Sequence, residues 1–192
     1  RSHCDWSSDV CSSDLVNEEK YEVYACEAEH SVTVFSYLFK EKEKPGEFYP
    51  DKAIALGVPK GKLWHTLQCG EEVTIENKTI KPSQVMGPNI AGKKIGVSGD
   101  TRPTKELEEF FNACDYLIFD STFSDELKEK AAESGHSTAK EAATLAQNAK
   151  VSNLIITHFS ARYNDEKVLL EEAKSIHSSV IAANDQLKIE VT

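Results

Sequence analysis

The stretch KKIGVSGDTRP, residues 93–103, begins as an apolar strand and ends on Asp100, a carboxylate in a glycine-bearing loop. In α/β proteins, ligands and reacting groups lie at the ends of strands, where the loops are open to solvent. Two more strand-like stretches end on a polar ring, His30 after YEVYACEAE and His158 after VSNLIIT. One carboxylate and two imidazoles suit zinc or another borderline divalent ion. Each residue taken alone is more typical of a hydrogen-bonded surface group.

Short apolar segments with a period of two alternate with amphipathic helical segments along most of the chain. The predicted strands cover residues 21–30, 32–39, 93–97, 115–120, 151–158, 178–185 and 187–192, with a hairpin at 71–80 that turns at Asn77–Lys78. The predicted helices cover residues 103–112, 137–150 and 165–176, and the second begins with a capping box between Thr138 and Glu141. This alternation predicts an α/β layered fold.

Residues 40–71 interrupt the alternation with repeated proline and glycine, and only a short helix near Asp51–Leu56 fits there. The segment carries lysines at positions 40, 42, 44, 52, 60 and 62, mixed with acidic residues at 41, 43, 47 and 51. We expect an arm that projects from the body of the protein. Because its charges are mixed, its grip on an anionic partner should be modest and salt-sensitive.

Composition limits the classes of function. The 192 residues carry a formal net charge of −10, so a basic nucleic-acid-binding footprint is absent overall. No run of eighteen apolar residues occurs, which argues against a membrane span. The five cysteines form no CxxC pair, which argues against a disulfide framework and for a reducing cytoplasm. We interpret Cys69 as a loop thiol and Cys114 as a small core residue.

The first fifteen residues stand apart from the rest of the chain. Residues 5–15, DWSSDVCSSDL, have no apolar period, and their Ser and Asp content favours turns over helix or strand. They match the translation of a common sequencing adapter, and a natural disordered leader is the alternative interpretation. We therefore expect residues 1–15 to be non-native, the native protein to begin near Val16, and sequence upstream of that point to be missing.

Four short motifs occur in order: SGDTRP at 98–103, DSTF at 120–123, GHST at 135–138 and THFSARY at 157–163. Together with LGVPKGKLWHTLQCGEEV at 56–73, this ordered set resembles the C-terminal half of ribonuclease Z, the tRNA 3′-processing endonuclease of the metallo-β-lactamase fold. The resemblance covers residues 16–192. It implies the C-terminal part of an αββα sandwich, with a flexible tRNA-binding arm at about 40–71.

The resemblance also implies roles for individual residues at the metal centre. Asp100, in the GDTR motif, would be the carboxylate that bridges two zinc ions. His30 would bind the first zinc ion and His158 the second. His136, in the GHST motif, would donate a proton to the leaving oxygen or stabilise the charge on the phosphorane. A histidine at the entry to a helix is the alternative interpretation of His136.

Other positions carry weaker or altered parts of the resemblance. Ser160 and Arg162 would contact phosphate, with a surface ion pair as the alternative for the arginine. The general base has no counterpart in this chain, because the HxHxDH motif of the family lies upstream of the matching segment. Asp120 stands where many members have Glu, and Lys62 follows glycine where a Gly-Pro pair is usual.

The implied function of the full-length parent is zinc-dependent hydrolysis that cleaves the 3′ trailer from precursor tRNA. The resemblance implies two zinc ions per intact subunit. The cysteine pattern predicts a cytoplasmic location, and apolar sheet faces left uncovered by the missing strands predict that the chain aggregates or forms a homodimer. We expect the chain as written to be inactive, because three protein ligands can assemble at most one weak zinc site. One alternative is another metallo-β-lactamase-fold hydrolase, acting on small phosphodiesters or esters. The other is a non-catalytic remnant that dimerises or binds RNA.

Overall fold

The computed structural model describes residues 13–191, which divide into two compact units. The sheet unit runs up to Glu41 and resumes at Lys93, and the inserted unit is Lys42–Gly92. No helix within residues 13–191 has the length and apolar character that crossing a membrane requires.

The described residues contain nine strands and six α-helices. The strands are β1 Ser13–Asn17, β2 Tyr21–Ala28, β3 Val34–Glu41, β4 Val73–Ile75, β5 Lys78–Ile80, β6 Lys94–Val97, β7 Tyr116–Asp120, β8 Asn153–Thr157 and β9 Val180–Ala182. The helices are α1 Pro50–Ala55, α2 Lys62–Gln68, α3 Lys105–Phe110, α4 Lys128–Ser134, α5 Ala139–Asn148 and α6 Lys167–Lys174. Two short 3₁₀ turns cover Pro82–Gln84 and Asp125–Leu127.

The sheet unit is built on a seven-stranded sheet with the order β1-β2-β3-β6-β7-β8-β9. The strand pairs from β1 to β6 are antiparallel, and β6, β7, β8 and β9 run parallel. Parallel neighbours require helical crossovers, which α3, α5 and α6 supply between successive strands. The carboxyl ends of β6, β7 and β8 therefore meet at one edge of the sheet.

One face of this sheet packs against the helices. Leu117 on β7 pairs in register with Leu154 on β8, and both side chains are completely buried with residues of α3, α5 and α6. Gly96 on β6 lies on the same face, where the Phe111 ring comes so close that a Cβ would sit 2.5 Å from it. The period-two pattern of the strands thus places alternate apolar residues in one core.

The opposite face of β2, β3 and β6 carries a second row of apolar side chains. Phe35, Tyr37, Phe39 and Val97 are between 36% and 43% exposed, and Tyr37 and Val97 are register partners. We call these four residues the exposed apolar face. An alternating strand normally presents polar residues on its solvent side, so this face has the composition of a surface that packs against other polypeptide.

The inserted unit has a hydrophobic core of its own. Its completely or almost completely buried residues come from α1, α2, the β4–β5 hairpin and the loops around them: Ala53, Val58, Leu67, Val73, Ile80 and Val85. The predicted short helix near Asp51–Leu56 is confirmed as α1, whereas α2 was not predicted. The unit extends to Gly92, beyond the expected end of the arm at residue 71, because the hairpin supplies part of its core.

Several local predictions differ from the structure. Residues 13–15 lie in β1, contrary to the expected turns, because their backbone pairs with β2; residues 1–12 lie outside the described part of the chain. The hairpin turns at Glu76–Asn77, both with positive φ, one residue earlier than predicted. The predicted closing strand at 187–192 is wrong, since residues 187–191 form no strand. The α/β alternation itself is confirmed.

Candidate metal centre

Four side chains that can bind a metal ion converge at the sheet edge where β6, β7 and β8 end. Asp100 follows β6, Asp120 ends β7, His158 follows β8, and His136 lies in the loop between α4 and α5. One ligand atom from each lies within 4.8 Å of those from the other three. The parallel strands bring residues far apart in sequence to one place, as the strand-end argument predicted for Asp100 and His158.

Asp120 is the buried anchor of this cluster, with its side chain completely shielded from solvent. Its Oδ1 accepts hydrogen bonds from the Thr122 amide at 3.0 Å and the Thr122 hydroxyl at 2.6 Å. Its Oδ2 accepts from the Thr101 amide at 3.1 Å and lies 2.8 Å from His136 Nδ1. A buried carboxylate is stable only when such donors replace water, and here every donor belongs to a loop of the site.

His158 lies between the two carboxylates. Its Nδ1 is 2.8 Å from the Thr122 hydroxyl, and its Nε2 is 3.6 Å from Asp100 Oδ1. Its backbone adopts φ of +63°, a left-handed conformation that residues other than glycine rarely occupy. Such strain is tolerated where surrounding structure holds a side chain in a required direction, and here it directs the imidazole towards Asp100.

His136 sits at the centre of three imidazoles. Its ring stacks on that of His158 with centroids 5.0 Å apart, and the His30 ring meets it edge-on at 5.1 Å. Because Nδ1 faces Asp120, Nε2 is the nitrogen left for chemistry at the cluster. The structure therefore brings His136 together with the predicted metal ligands, which fits either a proton donor or a ligand.

His30 lies beside the four-residue cluster and is not a member of it. Its Nδ1 accepts a hydrogen bond from the Val32 amide at 3.3 Å, and its Nε2 is buried without a hydrogen-bond partner. A buried polar atom of this kind calls for a partner, and a metal ion is one that would satisfy it. The ligand role of His30 stays a prediction.

Hydrogen bonds tie the loops of the site to one another. Arg102 forms a bidentate ion pair with Glu141 on α5 and also donates to the His136 carbonyl oxygen. The Ser137 hydroxyl donates to the Thr101 carbonyl oxygen. The predicted capping box at the start of α5 is confirmed, so Glu141 serves both the helix cap and the arginine. These contacts fix the loop that carries His136 against the loop that carries Asp100.

The glycine before Asp100 is required by the backbone. Gly99 has φ of +65°, and a Cβ there would come within 3.3 Å of the Phe35 carbonyl oxygen. A residue with a side chain would be strained at this φ and crowded by β3. Gly99 thus lets the chain turn sharply at the end of β6 and place the Asp100 carboxylate at the sheet edge.

The predicted phosphate-binding residues lie in the loop after β8. Arg162 Nε donates to the Ser160 hydroxyl at 3.0 Å, and its guanidinium lies over the Phe123 ring at 5.0 Å. The Ser160 amide donates to the Thr122 carbonyl oxygen at 3.1 Å. The two residues are therefore brought together and tied to the loop that anchors Asp120, while their contact with phosphate stays a prediction.

Sequence reasoning missed two residues of the site. Asp120 was noted only as a replacement for glutamate, and Thr122 was not singled out. A usable signal was present, because Asp120 ends an apolar strand in the same way as Asp100 and begins the DSTF motif. The hydroxyl of Thr122 gave no such signal, since threonine after a strand is common in turns.

The donor set fits a divalent metal ion of borderline hardness. It combines carboxylate oxygens with imidazole nitrogens, and the unpartnered His30 Nε2 adds a further nitrogen at its side. Zinc, and to a lesser degree other first-row ions, bind such mixed sets.

Two curated proteins similar to this chain are ribonucleases Z from archaea. Ribonuclease Z of Nitrosopumilus maritimus is 59% identical over 92% of this chain and 59% of its own length. Ribonuclease Z of Methanosarcina acetivorans is 43% identical over 93% of this chain and 59% of its length. The chain thus spans about three fifths of these curated relatives. The resemblance to ribonuclease Z seen in the motifs is confirmed.

The fold is confirmed by a solved structure as well. The crystal structure of human tRNase Z, short form, superimposes with a TM-score of 0.58 at 22% identity, covering 94% of this chain and 47% of that one. The sequence profile of the beta-lactamase superfamily domain matches residues 16–159, which include Asp100, Asp120, His136 and His158. The chain therefore belongs to the beta-lactamase superfamily.

Proposed function

We propose that this chain is part of a zinc-dependent endoribonuclease that removes the 3′ trailer from precursor tRNA by hydrolysis of a phosphodiester bond. The observation that carries the proposal is the convergence of Asp100, Asp120, His136 and His158 at one sheet edge. The high identity to ribonuclease Z supports precursor tRNA as the substrate.

The proposed metal content is two zinc ions per intact subunit. Asp100 would be the carboxylate shared between them, which is supported by its position in the loop after β6, with Oδ1 3.6 Å from His158 Nε2. His158 and His30 would be the nitrogen ligands from this chain. When bound, zinc lowers the pKa of water towards about 7 and offsets negative charge that develops on phosphate oxygens.

His136 is the proposed proton donor to the leaving oxygen. Asp120 Oδ2 holds the Nδ1 proton of the ring, so that the proton to be transferred is carried on Nε2. The Arg102 contact with the His136 carbonyl oxygen and the Ser137 contact with Thr101 fix the backbone directly after the ring. A ring held in this way loses little orientational freedom when the substrate arrives, which favours proton transfer.

Ser160 and Arg162 are the proposed contacts to the phosphate backbone. The guanidinium lies against the Phe123 ring and uses Nε for Ser160, so its two terminal nitrogens can form a bidentate contact with phosphate oxygens. Stacking on an aromatic ring also restricts the side chain, which lowers the entropy cost of binding.

The inserted unit is the proposed tRNA-binding arm. Lys60 is exposed in the loop that leads into α2, and Lys62 is exposed at the first position of that helix. Lys52 lies over the Tyr49 ring at 4.2 Å, which leaves its ammonium group at the surface. With a formal net charge of −10 on the whole chain, affinity for RNA must come from such local clusters and should weaken with salt.

The proposal includes a cytoplasmic location and a homodimer. Cys69 and Cys114 are free thiols, which suits a reducing compartment. The exposed apolar face supplies surface that other polypeptide could cover.

A chimera tests the proposed function directly. Residues 16–192 would replace the matching segment of the Nitrosopumilus maritimus ribonuclease Z, which supplies the remainder of a full-length chain. We expect the zinc-loaded chimera to cleave precursor tRNA at the 3′ trailer. We expect Asp100→Ala in the chimera to abolish cleavage, because two facing cations would lose their shared anion.

The matched control is Asp165→Asn, which removes a carboxylate that lies outside the metal-binding cluster and is 54% exposed. This variant should cleave at the rate of the unmodified chimera. A folded chimera that binds zinc but leaves precursor tRNA intact would contradict the proposed function. Normal cleavage by the Asp100→Ala variant would contradict the assigned role of that carboxylate.

A further inference from the structure

We infer that the Thr122 hydroxyl sets the tautomer of His158, which leaves the Nε2 lone pair of that imidazole facing Asp100. Thr122 is thus a positioning residue: it is not one of the four clustered candidate ligands and acts through the histidine. The inference adds a residue to the proposed metal centre, but it concerns the metal-free protein and stands or falls separately from the proposed activity.

The hydroxyl of Thr122 lies between two groups that compete for its single proton. Its Oγ1 is 2.6 Å from Asp120 Oδ1 and 2.8 Å from His158 Nδ1. A hydroxyl group donates one hydrogen bond and accepts up to two, so it can donate to only one of these partners. If Asp120 accepts this proton, His158 Nδ1 can form its hydrogen bond to Thr122 only as a donor.

Asp120 is the acceptor, because an ionised carboxylate can only accept. The same Oδ1 already accepts from the Thr122 amide at 3.0 Å, and Oδ2 accepts from the Thr101 amide. A hydroxyl turned away from Oδ1 would leave two lone pairs facing each other at 2.6 Å in a buried site. The Thr122 proton therefore points to the carboxylate.

His158 must then donate to Thr122. The hydroxyl oxygen presents only lone pairs on the side of the ring, so Nδ1 carries the proton of the neutral imidazole. The other nitrogen, Nε2, is left with its lone pair, 3.6 Å from Asp100 Oδ1. This is the form in which an imidazole binds a metal ion, with its second nitrogen donating to a polar partner.

Packing around Thr122 makes the arrangement rigid. The threonine is 6% exposed, and the Ser160 amide donates to its carbonyl oxygen at 3.1 Å, which ties the loops after β7 and β8 together. His158 is itself held at φ of +63°. The relay from Asp120 through Thr122 to His158 thus links the buried carboxylate to an imidazole that is half exposed.

Nitrogen-15 NMR of the metal-free chain measures the tautomer directly. Long-range nitrogen–proton correlations of His158 would be recorded at pH 8.5, where free imidazole, with a pKa of about 6.5, is neutral. We expect the Nδ1–H form in the unmodified chain and in Thr122→Ser, which keeps the hydroxyl. Thr122→Val has the same shape without the hydroxyl, and we expect it to shift His158 towards the Nε2–H form.

Zinc titration provides the second readout, with Zn²⁺ alone as the probe. Loss of a hydrogen bond that orients a ligand typically costs about 10–100-fold in metal affinity, so Thr122→Val should bind zinc that much more weakly than Thr122→Ser. A merely structural role of the threonine would lower the stability of the fold without changing the tautomer.

Two results would overturn the inference. One is an Nε2–H tautomer of His158 in the unmodified chain, a measurement that needs no variant and remains decisive if Thr122→Val fails to fold. The other is a folded Thr122→Val chain that retains both the Nδ1–H tautomer and the zinc affinity of Thr122→Ser.

Discussion

Replacing Asp120 with asparagine should destabilise the sheet unit far more than a change of one charge normally does. The carboxylate is completely buried and accepts from the Thr101 amide, the Thr122 amide and the Thr122 hydroxyl, with His136 Nδ1 beside it. An asparagine side chain has one oxygen and one NH₂ group. Whichever way it is turned, the NH₂ group faces a backbone N–H that loses its acceptor.

The expected loss of stability follows from these contacts. One buried donor left without a partner costs about 1–3 kcal/mol, and the remaining hydrogen bonds weaken because the acceptor is no longer charged. We therefore expect Asp120→Asn to lower the free energy of unfolding by about 2–5 kcal/mol. That is a large part of the 5–15 kcal/mol or so that stabilises a typical domain.

Urea unfolding followed by circular dichroism at 222 nm measures this change. The matched control is Asp125→Asn, which alters an ion pair with Lys140 between side chains that are 37% and 45% exposed. Exposed pairs of this kind contribute about 0.2–1 kcal/mol, so the control should be mild. An Asp120→Asn chain as stable as the Asp125→Asn chain would refute the view of Asp120 as the buried anchor of the site.

Three further predictions concern other parts of the molecule. The first replaces the inserted unit by an Asn-Gly turn, which can join β3 to β6 because the ends of these strands are hydrogen-bonded neighbours. We expect this variant to bind precursor tRNA more weakly in gel-shift assays but to keep its affinity for zinc. Loss of zinc binding as well would make that unit part of the core fold. Burial raises the pKa of the Cys114 thiol to about 12, so peptide mapping should find Cys114 unalkylated at pH 8 while the exposed Cys69 is labelled. Alkylation of Cys114 in the folded chain would contradict its place in the core. Replacing Phe35 and Tyr37 by threonine should reduce self-association of the chain in sedimentation experiments. The control Val168→Thr, on α6, should leave self-association unchanged. If both variants changed self-association equally, the exposed apolar face would not be the contact surface.

The sequence by itself determined most of the order of strands and helices, though not β1, α2 or α4, and it singled out three of the four clustered residues, Asp100, His136 and His158. Alternate apolar residues in VSNLIIT and the capping box at Thr138 are local signals, because a strand face and a helix cap are set by neighbours a few residues away. Asp100 and His158 could be placed at the sheet edge for a similar reason. His158 directly follows β8, Asp100 lies three residues after β6, and parallel strands end on the same side.

Local sequence patterns failed to predict elements whose pairing or packing partners are distant in the sequence. β1 was missed because its polar residues are held by pairing with β2, which overrides their preference for turns. The extent of the inserted unit was missed because its core joins α1 and α2 to a hairpin that reads as an independent element. The strand expected at 187–192 had a suitable pattern but finds no neighbour within the described residues.

Only the tertiary structure decided how the site is held together. The functions of Asp120, Thr122 and Arg102 lie in hydrogen bonds across loops that are 16 to 39 residues apart in the chain, and no pattern along the sequence records such contacts. The structure also separated His30, whose nitrogen lies beside the cluster, from the four residues that form it. Residue type and spacing identify which groups can bind a metal ion, but the direction and tautomer of each group depend on buried neighbours that folding brings together.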